Sequence, residues 1–320
     1  MKILHRLSND RAPQASLGGM AAGNRRLGAP SSGSSMLLAG AGFFTGVVIL
    51  FADKPWWRDT RRFAAHGYFF WLFIILAETS IWPIAALFVV SVLRELRGEW
   101  QNAKVEVVRS AAILTTLVIV MGLVTDANIN RQIVPGYRVK GNLILLMGYA
   151  VVLSAASGIW LIHSALLRLQ SDLESLGQIF HDFLRLKSLL QSLLSVLVAI
   201  LIGIILGSIA HRMAILSQYP STPYPLEYIV VYGAFSSTLL GLVYGPAYFR
   251  MLVVGRQLLD AYFPITSLPA SAEFLAWAER RKALEDVLHL DKVASRTIRA
   301  FGGVLAPLVS SIIGAVLGFK

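Results

Sequence analysis

The chain has 320 residues, of which 56% are hydrophobic and 15% charged, and its mean hydropathy is +0.64. This balance excludes an ordinary soluble protein and is typical of a membrane protein whose length is used for spans. The net charge of +11 fits basic loops beside anionic lipid, so we expect the lipid bilayer and no nucleic acid as a partner. The absence of cysteine excludes disulfides, thiolate chemistry and cysteine-ligated metal centres.

The N-terminal segment, 1–35, is rich in Gly, Ser, Ala and Arg and lacks a lasting apolar period, which predicts disorder. The first span follows at 36–52. Gly42 and Gly46 lie four residues apart in it, a spacing that lets another helix approach closely.

The second predicted span, 68–93, contains both a breaker and an acid. Pro83 should kink the helix, because proline removes a backbone donor. Glu78 lies about ten residues, or roughly 15 Å, from the start of the span, which places its carboxyl near the bilayer midplane.

Four more spans complete the predicted bundle. Small residues recur every four positions in the last two of these spans. Because lipid provides no hydrophobic drive between helices, we expect these two spans to pack tightly through their small residues. The four spans are predicted near 107–125, 143–165, 189–210 and 228–249, and the small residues are Gly203, Gly207, Gly233, Ser237, Gly241 and Gly245.

An amphipathic stretch at 166–188 joins the fourth and fifth spans. Apolar residues from Leu166 to Leu190 alternate by three and four, which indicates one helical stripe. The chain must fold back near Gly177 or run along the membrane surface. The stripe is either a seam for a second copy or a protein partner, or a connector that buries its leucines in the bundle or the headgroups.

The C-terminal tail, 250–320, is more polar, and a helix is predicted from Ala272 to about His289 after a Ser271 cap. Its end, 301–319, carries no charge but contains several glycines and a proline. Two interpretations stay open: a seventh span, or a helix docked on the bundle or lying in the interface.

The distribution of basic residues predicts the orientation. Most lysines and arginines fall in segments that are cytoplasmic when the N-terminus is inside, so six spans place both termini in the cytoplasm. The first outer loop, with four basic residues, departs from the rule. We expect a bacterial inner membrane, with an organellar inner membrane as the alternative.

Glu78 is the candidate functional residue. A carboxyl at mid-bilayer depth costs several kcal/mol unless it is protonated, paired or hydrated, which favours an ion or proton site. The structural alternative is a neutral acid that locks two helices by one hydrogen bond. Hydroxyls at a similar depth could join a cation there: Thr115, Ser154, Ser157, Ser236 and Ser237.

Other chemistry finds less support in the sequence. His66 and His211 lie at the same end of two spans and could ligate one haem iron, but no spacing motif pairs them. No phosphate-binding loop, HExxH or GxSxG occurs, so we predict no cofactor, no metal and no catalytic residue. The sequence thus predicts an all-helical, six-span bundle that is a cation or proton channel or transporter; the alternative is a non-enzymatic scaffold, sensor or effector.

Overall fold

The computed structural model describes residues 32–51, 66–126, 137–169, 176–218, 224–264, 273–288, 302 and 305–313. These residues are almost entirely helical, as the sequence predicts. Most of the segment predicted as disordered, 1–35, lies outside them. The helices are α1 (Ser32–Phe51), α2 (His66–Glu95), α3 (Arg97–Asp126), α4 (Tyr137–Leu169), α5 (Leu176–Gln218), α6 (Glu227–Tyr262) and α7 (Phe274–Leu288).

Five helices among the described residues are long and apolar enough to cross a membrane: α1, α2, α4, α5 and α6. The chain is therefore consistent with an integral membrane protein. Helix α3 covers the predicted third span but begins with a polar stretch, and it is not one of the five. The count of six spans, the kind of membrane and the side on which each terminus lies stay predictions.

Contacts at both ends of α2 and α5 give the relative direction of these two helices. Along α2 and α5, Gly67 lies against Met213 and Glu95 pairs with Arg185, so the two helices are antiparallel over their length. These contacts define two ends of the bundle. We call the end where α2 finishes and α5 begins the Arg185 end, and the opposite one the His211 end.

Helix α5 is the centre of the bundle and contacts α2, α4 and α6. It has 43 residues and is therefore about 65 Å long, more than the roughly 30 Å of a hydrocarbon layer. Leu190, Leu193 and Leu197 along it are buried. A side chain at Gly158 of α4 would come within 2.8 Å of Leu193, so this glycine allows α4 and α5 to pack closely.

The amphipathic stripe is divided between two helices. Helix α4 ends at Leu169 and α5 begins at Leu176, and the two are antiparallel. The chain therefore turns back between them, just before Gly177. Leu166, Phe183 and Leu190 of the stripe are buried in the chain's own bundle.

The small residues of α5 do not pack against those of α6. The predicted pairing of these two spans through their small residues is therefore wrong. Gly203 and Gly207 face Glu78 of α2, whereas Gly233 contacts the helical segment 305–313. Large apolar side chains join α5 to α6 instead. A side chain at Gly245 would meet open space, and Gly241 is only half-buried. Spacing shows that a face is smooth, but the neighbour that fits it depends on the arrangement of all the helices.

The C-terminal apolar segment lies along α6. Residues 305–313 are helical, and the Leu308 N–H donates to Ser237 Oγ at 3.1 Å. Ser311 is buried against Gly233. Since Ser311 lies at Gly233 and Leu308 at Ser237, the segment runs antiparallel to α6. The described part therefore contacts α6, which is compatible with either interpretation of 301–319, so the seventh span and the docked helix both stay predictions.

Two buried lysines each donate a hydrogen bond to the C-terminal end of another helix. Lys140, at the start of α4, donates from Nζ to the Leu50 carbonyl in the last turn of α1 at 2.9 Å. Lys187 of α5 donates from Nζ to the Leu288 carbonyl, the last residue of α7, at 3.0 Å. A cation stabilises the C-terminal end of a helix, where carbonyls lack helical donors. Each lysine thus connects two helices.

Helix α2 has an irregular centre at Pro83. Proline has no N–H, so the Thr79 carbonyl, four residues earlier, loses its helical donor. Gly42 of α1 lies against this carbonyl and against the Pro83 ring, and Gly46 lies against the Thr79 side chain. The glycine pair of α1 is therefore the surface that covers the proline-containing turn of α2.

Candidate functional site

Glu78 lies in the middle of the antiparallel contact between α2 and α5. A Cβ at Gly203 would lie 3.5 Å from Glu78 Cγ, and one at Gly207 would lie 2.8 Å from Oε1. The carboxyl thus occupies space left by two absent side chains on α5. The sequence contained part of the signal for this contact, because Gly203 and Gly207 form a smooth face on their span, but it did not show that Glu78 lies opposite that face.

The Glu78 carboxyl is buried and incompletely hydrogen-bonded. Only 7% of the residue is exposed, and within the described part of the chain Oε1 has no hydrogen-bond donor. The positions opposite Oε1 are glycines, which provide neither a side-chain donor nor a cation. In hydrocarbon a carboxylate without a counter-charge is costly, so this setting favours the neutral, protonated carboxyl.

The two hydroxyl residues that follow Glu78 in α2 hydrogen-bond to the backbone of their own helix. The Thr79 hydroxyl donates to the Leu76 carbonyl at 3.1 Å, and the Ser80 hydroxyl donates to the same carbonyl at 2.7 Å. Side-chain bonds of this kind bend helices, and Pro83 follows within one turn. Glu78 therefore lies on the part of α2 that is least regular.

Three of the five predicted hydroxyl ligands hydrogen-bond within their own helices. Thr115, Ser154 and Ser157 each donate to the carbonyl four residues earlier at 2.8 Å. Ser237 accepts the Leu308 N–H, and Ser236 is buried on α6. Their role in binding an ion stays a prediction. The depth count that grouped these hydroxyls contains no information on which way a helix is rotated.

The histidines differ in their surroundings. His211 is buried at the end of α5, with its ring 6.4 Å from the Trp71 ring and 6.0 Å from the Tyr224 ring. His163 is half-buried beside Trp160. The side chain of His66 lies outside the described part, so the haem alternative for His66 and His211 stays open. Among the described residues, no three His, Asp or Glu side chains form a metal-sized group.

A cleft of about 570 Å³ opens at the Arg185 end, between the ends of α2 and α4 and the start of α5. Arg185 crosses its wall, with Nε 2.5 Å from Glu95 Oε1. Arg168 and Asp182 also line it. The cleft holds both signs of charge, and Arg185 is paired with Glu95 in its wall.

Comparison of the chain with protein-family models, curated proteins and solved structures gives no match. The functional argument therefore depends on the residues of this chain alone.

Proposed function

We propose that this integral membrane protein moves protons across a membrane and that Glu78 is the group that carries them. The observation that carries the proposal is the buried carboxyl between α2 and α5, whose Oε1 has no donor among the described residues. An ionisable group in a membrane-spanning helix is by default functional, and the Glu78 carboxyl has no counter-charge on the α5 wall, where the Gly207 backbone is its hydrogen-bonding neighbour.

A proton fits this place better than a metal cation does. A hard cation takes about six oxygen ligands or more. The α5 wall of the Glu78 site is formed by Gly203 and Gly207, which have no side-chain oxygen to give. A proton needs one carboxyl oxygen and no counter-charge, so it requires only what the site contains.

The alternative function, a scaffold or effector acting through 166–190, loses part of its support. Leu166, Phe183 and Leu190 are turned into the chain's own bundle, so they are not exposed to a partner or a second copy. A partner at the Arg185 end would have to use other residues. The sequence-based expectation of such a partner stays a prediction.

The test is proton flux into proteoliposomes that contain a pH-sensitive dye and a potassium diffusion potential. The wild type should acidify the lumen above the leak of protein-free vesicles, and Glu78→Gln should fall to that leak. Glu227→Gln is the matched control, because Glu227 is an exposed acid at the start of α6 and its neutralisation should leave flux unchanged. Equal flux in wild type and Glu78→Gln, or no flux in well-folded wild type, contradicts the proposal.

A further inference from the structure

The contact between α2 and α5 continues from Glu78 to the His211 end. It includes Glu78 against Gly207 and, further along, Gly67 against Met213. The residues of α5 that face α2 recur every four positions, as expected for one side of a helix. His211 is the next member of this series after Gly203 and Gly207.

His211 therefore lies one turn, or about 6 Å, beyond the glycine that touches Glu78 Oε1. Its contact with the Trp71 ring confirms the direction, because Trp71 is two turns before Glu78 on the facing side of α2. The imidazole is 6% exposed and is covered by Tyr224 from the connection before α6. On this contact Glu78 offers a carboxyl and His211 an imidazole, two groups that can each accept and donate a proton.

The groups around His211 favour the passage of a proton over its storage. From α2 it faces Trp71, and the Tyr68 ring lies tilted against Trp71 with 5.7 Å between the ring centroids. From the connection it faces Tyr224, and burial raises the pKa of that phenol, so Tyr224 stays neutral. Arg212 follows His211 in the chain, and its Nε donates to the Tyr224 carbonyl at 3.1 Å. A neighbouring cation disfavours a long-lived imidazolium.

We propose that His211 is a second proton-carrying residue, which passes protons between Glu78 and the water at the His211 end of the bundle. One ring nitrogen accepts the proton that leaves the Glu78 carboxyl, and the other nitrogen releases its own proton outward. The carboxylate then takes a proton that arrives from the Arg185 end, and the imidazole ring rotates to bring its remaining N–H to the outer side, so charge and protons balance over one cycle. A water molecule between the two side chains would span this helical turn. This inference rests on the proposed function of Glu78.

The experiment compares flux and Glu78 protonation in His211→Ala. Loss of a positioned acid–base group slows a proton transfer roughly a hundred-fold, so flux should fall close to the vesicle leak. Added imidazole should restore a part of the flux, because it refills the space left by the ring. Modification of Glu78 by a hydrophobic carbodiimide, followed by mass spectrometry, should remain at the wild-type level. His163→Ala is the matched control, since His163 is half-buried beside Trp160 on α4, and it should keep wild-type flux.

The outcomes separate the two proposals. Wild-type flux in His211→Ala, with Glu78→Gln still inactive, overturns the relay and leaves Glu78 intact. No flux in the wild type overturns the proposed function itself. Lost flux that imidazole does not restore, together with altered Glu78 labelling, shows that His211 has only a structural role. Should His211→Ala not fold, His211→Gln fills a similar volume without a titratable nitrogen, and wild-type flux in that variant overturns the relay equally.

Discussion

Glu78 and Lys187 are buried to the same degree, each with 7% of its surface exposed, but they differ in their hydrogen bonds. Lys187 Nζ donates to the Leu288 carbonyl at 3.0 Å, a backbone oxygen that needs a donor. Glu78 Oε1 faces glycines and has no donor among the described residues. The comparison shows that burial of an ionisable group does not by itself indicate function. What separates a structural residue from a functional candidate is whether a fixed partner offsets the cost of burial.

The largest expected effect on stability comes from Lys187→Met, and Glu78→Gln is the comparison. Each variant replaces an ionisable side chain with an uncharged one of similar size. Lys187→Met leaves the Leu288 carbonyl without its donor and should lower the free energy of unfolding by about 1–3 kcal/mol. Glu78→Gln should change that free energy by less than about 1 kcal/mol, because Oε1 has no bond to lose. Chemical denaturation in detergent measures both. A Glu78→Gln variant that is as unstable as Lys187→Met would place Glu78 among the structural residues.

The second prediction changes the wall opposite the carboxyl. Gly207→Ala puts a methyl group 2.8 Å from Glu78 Oε1, so the carboxyl must move and proton flux should fall several-fold, with a cost in stability of about 1–3 kcal/mol. Gly203→Ala is the matched control, because its methyl group meets Glu78 Cγ at an ordinary 3.5 Å. Flux and thermal unfolding of the two variants give the answer. If the two variants had equal flux and equal stability, the position of Glu78 would not depend on the space beside Gly207.

The third prediction applies the same reasoning to α6. Gly233→Ala collides with Ser311 and with the Pro307 carbonyl, so it should displace the 305–313 segment and cost about 1–2 kcal/mol. Gly245→Ala meets open space and should be neutral or stabilise the helix by up to about 1 kcal/mol. Thermal unfolding distinguishes the pair. A neutral Gly233→Ala would mean that the segment does not dock there.

The smallest effect belongs to a partly exposed ion pair at the Arg185 end. Arg185 is 44% exposed and its partner Glu95 is 29% exposed, so water screens the pair. Arg185→Gln should therefore cost less than about 1 kcal/mol, and the cost should shrink as salt is added. Unfolding at low and high ionic strength checks this. If Arg185→Gln lowered stability as much as Lys187→Met, solvent exposure would matter less than the comparison of Glu78 with Lys187 implies.

Much of the fold could be predicted from the sequence because membrane spans are set by simple length and composition rules. Apolar runs predicted the helices α1, α2, α4, α5 and α6, and the depth count predicted that Glu78 lies in the middle of a span. The break at Leu169 was not predictable to the residue, because the apolar stripe keeps its period on both sides of the turn. Periodicity records which residues share a face, but a turn of a few residues can preserve it.

The sequence could not predict which helix each small-residue face would contact. Gly203 and Gly207 were expected to meet α6, and they meet Glu78; Gly233 was expected to meet α5, and it meets Ser311. Both errors have one cause. A small-residue face fits any helix that approaches it closely, and the choice depends on how the whole bundle is rotated and ordered.

The open Thr79 carbonyl has a consequence for how the bundle assembles. When α2 alone enters lipid, this oxygen faces hydrocarbon without a donor, a costly state that the close approach of Gly42 relieves. Helices α1 and α2 are consecutive in the chain, so we expect them to pair first, as a two-helix hairpin. Helix α5 is inserted later, and only its arrival encloses Glu78 with Gly203 and Gly207. The carboxyl thus stays exposed to lipid and water until the last wall is in place, so an incompletely assembled chain lacks the enclosed site.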